Sequence, residues 1–202
     1  MYVQNIIFDL GGVILNIDIR KTQEAFKSLG VKNIEGVFRM GHVGSFFKQY
    51  ETGKIDDDQF IKSIQQMTGI NPASEIVVDA WNSLLLDFPP DRIRFLKAIK
   101  SKYKLFLLSN TSALHHTRFQ EIFSQQFGGS LDDLFDKAYY SHVIKLHKPD
   151  KASYQLIIDE NFLTSGDTLF IDDSAANVAG AERTGLKAIH LTPGKTILDL
   201  GL

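Results

Sequence analysis

Four stretches of the chain, residues 5–8, 105–108, 168–171 and 188–191, are short, apolar and closed by polar or glycine-containing residues. Continuous apolar runs of that length predict strands buried on both faces of a parallel sheet. A fifth, short strand is expected in residues 137–143, where Tyr139, Tyr140 and His142 mix the polarity. Between the strands, apolar residues recur at helical spacing: Ile93, Leu96 and Ile99 within 92–102, and Tyr154, Leu156, Ile157 and Ile158 within 151–160. Strand alternating with helix predicts the α/β class, with a doubly wound, Rossmann-like parallel sheet.

About ninety residues separate the first strand from the second, whereas a crossover between parallel strands needs only about a dozen. The excess predicts an insertion. Helical patterns occupy it at 22–29, 46–51, 57–67 and 74–86. Phe60, Ile61, Ile64 and Met67 line one face of the third, and Ile76, Val77, Ala80, Trp81 and Leu84 one face of the fourth. Pro89 and Pro90 cannot continue a helix and mark the return of the chain. The expected division is a core of residues 1–15 and 89–202 with an all-helical cap of residues 16–88. The acidic run Asp56-Asp57-Asp58 reads as helix capping rather than a metal site, and Gly128-Gly129-Ser130 as a turn.

Composition removes several classes of function. With 22 Lys+Arg against 24 Asp+Glu and no basic stretch, nucleic acid is not an expected partner. The absence of cysteine removes disulfides, thiolate metal sites and cysteine nucleophiles. No apolar run approaches the roughly 20 residues that span a bilayer, and the start of the chain lacks a signal-peptide pattern, so a cytoplasmic protein without membrane association is expected. Oligomeric state is not legible.

In open α/β sheets ligands bind beyond the carboxyl ends of the strands. The first strand runs into Asp9-Leu10-Gly11-Gly12, the second into Ser109-Asn110-Thr111 and the third apolar run into Asp172-Asp173-Ser174, while Lys148-Pro149 follows the short strand. A carboxylate, a hydroxyl, a cation and an acid pair thus fall at one edge.

In this order, and with a helical insertion after the first, these residues resemble the four motifs of the haloacid dehalogenase-like hydrolase superfamily over essentially the whole chain. Asp9, Ser109, Lys148 and Asp173 occupy the motif positions, and the insertion is similar to the helical type of cap. Within the superfamily, Phe8 to Val13, the cap segment from Met40-Gly41-His42 to Gly53-Lys54-Ile55, Leu108 to Thr111, and Phe170 to Asp173 with Asn177 look most like the bacterial α-D-glucose-1-phosphate phosphatase branch. The resemblance implies a phosphatase acting on a small phosphorylated metabolite through an aspartyl-phosphate.

Chemistry suits that expectation. A carboxylate is an apt covalent nucleophile because the acyl phosphate it forms is itself hydrolysable, and Asp9 is the candidate. Positive charge must offset the repulsion between two anions; Lys148 would supply part, and Mg²⁺ held by Asp9, Asp173 and the Gly11 carbonyl the rest. Asp172 is either a partner behind the ligands or an additional ligand. The Ser109 hydroxyl and the backbone N–H groups of Leu10, Gly11 and Asn110 would hold the phosphoryl oxygens, with His42 at the cap's substrate-facing edge. Asn177 would orient water or Lys148.

One departure stands out. The second Asp of the superfamily's Asp-x-Asp pattern, its general acid/base, is Gly11 here. Three consequences are open: preference for good leaving groups such as anomeric sugar phosphates; substitution by Asp18, His42, His115 or His116; or phosphate-ester binding with poor turnover. For His115 and His116 an exposed helix face is expected, for His147 a solvent-facing position, and for His142 and His190 places in strands. The competing functions are a metal-independent dehalogenase, which would not need the acid pair, a phosphate-ester-binding regulator, and a nucleotide-binding module, which lacks a Gly-x-Gly-x-x-Gly after the first strand.

Overall fold

The computed structural model describes residues 2–36 and 46–202. Five parallel strands, β1 (Asn5–Phe8), β2 (Lys104–Ser109), β3 (Lys137–Tyr140), β4 (Thr168–Asp172) and β5 (Lys187–His190), lie in the order β3-β2-β1-β4-β5. Successive side chains of a strand point to opposite faces. Ile6, Phe8, Leu105, Leu107, Leu169 and Ile171 accordingly join one cluster, packed with Ile93, Leu96 and Ile99 of helix Pro90–Ile99 and Phe119 and Phe123 of helix Ala113–Phe127. Ile7, Phe106, Leu108 and Phe170 join the other, with Tyr154, Ile157 and Ile158 of helix Lys151–Glu160 and Ala181 of helix Ala175–Glu182. Burial on both faces is why these strands read as unbroken apolar runs. The chain builds outward from β1 through β2 to β3, then returns to place β4 on the other side of β1. That reversal opens a crevice at the carboxyl ends of β1 and β4.

Several boundaries differ from expectation for identifiable reasons. Tyr140 pairs with Ser109, so Ser109 belongs to β2. The fifth run stops at Tyr140, and Ser141–Ile144 is a single helical turn closed by Lys145 at φ 59, which removes His142 from the strand. β5 begins at Lys187, the partner of Leu169. Proline tolerates the first helical position, so the helix expected at 92–102 starts at Pro90, and it ends at Ile99.

Helices Ile19–Ser28, Phe46–Glu51, Asp57–Thr68 and Ser74–Asn82 lie between β1 and Pro89. They share a cluster of their own: Phe26, Phe47, Tyr50, Phe60, Ile61, Ile64, Val77 and Trp81. Asp56 caps helix Asp57–Thr68 reciprocally with Gln59, and Asp57 accepts from the Tyr50 hydroxyl at 2.6 Å, so two acids of the run are structural. The helix expected over 74–86 stops at Asn82 because residues 84–87 run beside 16–18. The Asn16 N–H donates to the Asp87 carbonyl at 2.9 Å, and the Asp18 N–H to that of Leu84 at 2.9 Å. The two connections thereby satisfy each other's backbone groups. Met40, Gly41 and His42 lie outside the described residues. Among the described residues, no helix is long and apolar enough to cross a membrane.

Candidate active site

Phe8 of β1 pairs with Ile171 of β4, so the residues that follow, Asp9 and Asp172, emerge side by side in the crevice. Lys148 enters from the loop after the turn Ser141–Ile144. Its Nζ lies 2.6 Å from Asp9 Oδ1 and 2.7 Å from Asp172 Oδ2. Asp9, Lys148 and Asp172 are 8%, 1% and 0% exposed, so this is a buried ionic triad. Asp173 is exposed beside it, and one oxygen from each of Asp9, Asp172 and Asp173 falls within 4.8 Å of the others.

The two acids of the pair are held differently. Asp172 accepts from Lys148, from the Ser174 N–H at 2.8 Å, and from Asn177 Nδ2 on both oxygens at 3.1 Å. A carboxylate has about four lone-pair sites, and these contacts engage both of its oxygens. Asn177 therefore anchors Asp172 and reaches Lys148 only through it. Asp173 instead lies over the glycine turn. A Cβ on Gly12, at φ +77, would meet Asp173 Oδ2 at 2.3 Å, so only glycine permits this approach. On the far side, a Cβ on Gly180 would stand 2.8 Å from the Pro149 carbonyl, which shows how closely helix Ala175–Glu182 backs the lysine loop.

Among the described residues, three carboxylates here face one ammonium. Burial pushes the Asp9 carboxyl up to about 7, with Asp172 and Asp173 adding to the effect and Lys148 opposing it. For Lys148, burial alone would pull the pKa down, but Asp9 and Asp172 outweigh it and hold the ammonium above its ordinary value. The remaining negative charge and the all-oxygen donor set suit a hard divalent cation. Added positive charge beside Asp9 would therefore favour its ionised form.

Ser109 is buried at the end of β2, next to β1. The Leu10 carbonyl accepts from the N–H groups of Ile14 and Leu15 at 2.8 and 2.9 Å, folding residues 10–15 into a compact turn below the site. Asn110, expected as a backbone donor, also uses its side chain. The Lys148 N–H donates to Asn110 Oδ1 at 2.9 Å, and Asn110 Nδ2 donates to the Lys148 carbonyl at 3.0 Å. Sequence reasoning missed this clasp, since nothing in spacing links positions 110 and 148.

Of the substitutes for the missing acid, His42 lies outside the described residues, and Asp18, His115 and His116 are engaged elsewhere. Asp18 caps helix Ile19–Ser28 and pairs with Arg20 at 2.8 Å, which holds its carboxyl below the usual range. His115 is not on an exposed face. It is 8% exposed, stacks on Trp81 at 4.6 Å between centroids and donates from Nε2 to the Trp81 carbonyl at 3.1 Å. Burial pulls its pKa down to about 4. The reason is helix Ser74–Asn82, whose Trp81 covers this flank of helix Ala113–Phe127. His116 is half-buried against Phe119, Tyr140 and His142, and burial lowers its pKa too. His147 is likewise not solvent-facing, because Glu51 covers it at 2.8 Å. Beside Gly11 stands Ile17, whose Cδ1 would be 3.2 Å from a Cβ there. The position where resemblance places a carboxylate therefore adjoins an apolar side chain.

Comparison with known proteins agrees with this geometry. The model of the haloacid dehalogenase-like hydrolase family matches residues 3–185. A D-ribitol-5-phosphate phosphatase of Bacteroides thetaiotaomicron is 28% identical over 189 residues, covering 93% of this chain and 91% of its own. A sesquiterpene phosphatase of Aspergillus oryzae is 27% identical over 190 residues, covering 92% and 88%. Among solved structures, a family enzyme of B. thetaiotaomicron in complex with magnesium and inorganic phosphate superposes with TM-score 0.91 at 30% identity, covering 99% of this chain and 100% of its own.

Proposed function

The chain belongs to the haloacid dehalogenase-like hydrolase family, and from that premise we propose that it is a magnesium-dependent phosphatase of a small phosphorylated metabolite, working through an aspartyl-phosphate on Asp9. The observation that carries the reading is the Lys148 ammonium held between Asp9 and Asp172 at 2.6 and 2.7 Å, with Asp173 alongside. Magnesium and phosphate bound to the similar B. thetaiotaomicron enzyme support it.

In this reading an Asp9 carboxylate oxygen attacks phosphorus, the bond to the ester oxygen breaks, and the alkoxide leaves with a proton drawn from solvent. Water then cleaves the acyl phosphate and regenerates Asp9. Lys148 neutralises charge on the nucleophile and on the transferring group, while Asp172, tied down by Asn177 and the Ser174 N–H, keeps the ammonium in place. Ser109 and the backbone N–H groups of Leu10, Gly11 and Asn110 bind the phosphoryl oxygens. Mg²⁺, held by Asp9, Asp173 and the Gly11 carbonyl, supplies further charge stabilisation; Asp172 supports the site from behind. Residues 1–15 and 89–202 serve as the catalytic core and residues 16–88 as a helical cap.

The substrates named for the two curated relatives, a pentitol phosphate and a sesquiterpene phosphate, share only the phosphate ester. The core therefore reads the phosphate and the cap selects the rest. Gly11 beside Ile17 favours substrates whose leaving oxygen needs little protonation, which brings sugar 1-phosphates such as glucose 1-phosphate forward. The test is phosphate release from glucose 1-phosphate, ribitol 5-phosphate, other sugar phosphates and p-nitrophenyl phosphate, in Mg²⁺ and in EDTA, for the wild type and Asp9→Asn. Release that needs Mg²⁺ and disappears in the variant is expected. Undiminished activity in the variant refutes the nucleophile, and undiminished activity in EDTA refutes the metal.

A further inference from the structure

Helix Phe46–Glu51 reaches across to the lysine loop through two polar pairs that straddle Lys148: Glu51 with His147 at 2.8 Å and Lys48 with Asp150 at 3.0 Å. The first pair continues inward. Asn110 Nδ2 lies 3.2 Å from His147 Nδ1, and Asn110 holds the Lys148 main chain at both ends. The direction of every bond follows from Lys148. Its N–H needs an acceptor and its carbonyl a donor, which fixes Asn110 with Oδ1 toward the former and Nδ2 toward the latter. The second hydrogen on Nδ2 then points at His147 Nδ1, so that nitrogen is the acceptor. The imidazole proton must sit on Nε2, where it donates to Glu51 Oε2.

We propose that His147 is a positioning residue, coupling the docking of helix Phe46–Glu51 to the placement of Lys148 through Asn110. The relay runs from the Glu51 carboxylate through the imidazole and the Asn110 amide to the Lys148 backbone, and it is complete only when the helix is seated. The Glu51 and His147 side chains are 27% and 18% exposed, whereas Lys48 and Asp150 are 51% and 57% exposed. Exposed pairs of that kind contribute little, so the second pair is a natural control. The proposal rests on reading Lys148 as the cation at the transferring phosphate.

The experiment uses the full chain and two measurements: steady-state phosphate release with p-nitrophenyl phosphate and Mg²⁺, and amide hydrogen exchange over residues 145–152. Losing an orienting partner of an active-site group typically costs about 10- to 100-fold in activity. His147→Leu and Glu51→Ala are each expected to lower kcat about tenfold while KM stays within about threefold, and to speed exchange at Lys148. Glu51→Gln should recover most of the kcat, since its amide oxygen still accepts from Nε2, and Lys48→Ala should stay within about twofold of wild type. The inference is overturned if kcat and exchange in His147→Leu and Glu51→Ala match the wild type. A rise in KM at constant kcat also overturns it, since these residues would then be contacting substrate. Should the wild type release no phosphate from any substrate, the proposed function fails by itself, and exchange at Lys148 still decides the relay.

Discussion

Replacing Lys148 by methionine keeps most of its unbranched stem and removes its charge from a site that is 1% exposed. The two carboxylates it bridges, at 2.6 and 2.7 Å, would then face each other without a counter-charge. Breaking a buried pair in this way costs about 3–5 kcal/mol, because the surviving charge is left desolvated. For a chain of this size about 1 kcal/mol moves Tm by roughly 2–4 °C, so Lys148→Met should melt about 10 °C below the wild type in EDTA at neutral pH. The deficit should depend on pH. Burial already pushes Asp9 up to about 7, and loss of Lys148 removes the influence that lowers it. A carboxyl raised in the folded state binds more protons there than in the unfolded chain, so acidification between its folded and unfolded pKa values stabilises the fold. The gap between variant and wild type is therefore expected to narrow as pH falls from about 8 to about 5. Removing the facing charge as well, in Lys148→Met with Asp172→Asn, should recover much of the loss. Calorimetric melts over pH provide the assay. A single variant melting within about 2 °C of the wild type, with no pH dependence of the difference, would refute the charge-coupled triad.

Further outcomes follow from the geometry. His115 is buried neutral with its pKa pulled down to about 4 from 6.5. A group lowered in this way binds more protons unfolded than folded, so its share of stability, about 3 kcal/mol, is lost as pH falls from about 6.5 toward 4. Denaturant titrations of His115→Gln should show a flatter acid limb, and parallel profiles would count against the buried-neutral assignment. Gly12→Ala places a methyl 2.3 Å from Asp173 Oδ2 at positive φ, so Asp173 must shift; Mg²⁺ titration of phosphate release should show half-saturation raised at least about tenfold. An unchanged Mg²⁺ requirement would remove Asp173 from the ligand set. Asp56→Ala breaks the reciprocal cap of helix Asp57–Thr68 and should lower stability by about 1 kcal/mol while sparing kcat, measured by melting and steady-state rates together.

The amino-acid pattern alone carried the local architecture. The three central strands, β1, β2 and β4, were legible because a strand covered on both faces is a continuous apolar run; the edge strands β3 and β5 are less buried and their bounds were read less exactly, and the long gap after β1 exposed the helical insertion. Asp9, Ser109, Asp172 and Asp173 stood out because polar residues at the ends of such runs sit at the sheet's carboxyl edge, and Lys148 because it matched the third motif of the family that the chain resembles. The acidic run at 56–58 yielded to the ordinary logic of helix starts. What the pattern could not carry was every relation between distant segments. Lys148 meets Asp9 across 139 positions and Asn110 across 38; Glu51 meets His147 across 96 and Trp81 covers His115 across 34. Periodicity reports which face of an element is apolar and says nothing of which element covers it. Hence His115 and His147 read as solvent-facing from the sequence, although helices Ser74–Asn82 and Phe46–Glu51 lie over them. The space beside Gly11 was equally silent, because Ile17 arrives there only once residues 16–18 have paired with 84–87. Strand order, the seating of the inserted helices and the hydrogen-bond partners of buried polar groups are decided by packing in three dimensions, where desolvation obliges buried charges and imidazole nitrogens to find partners from wherever the chain happens to pass.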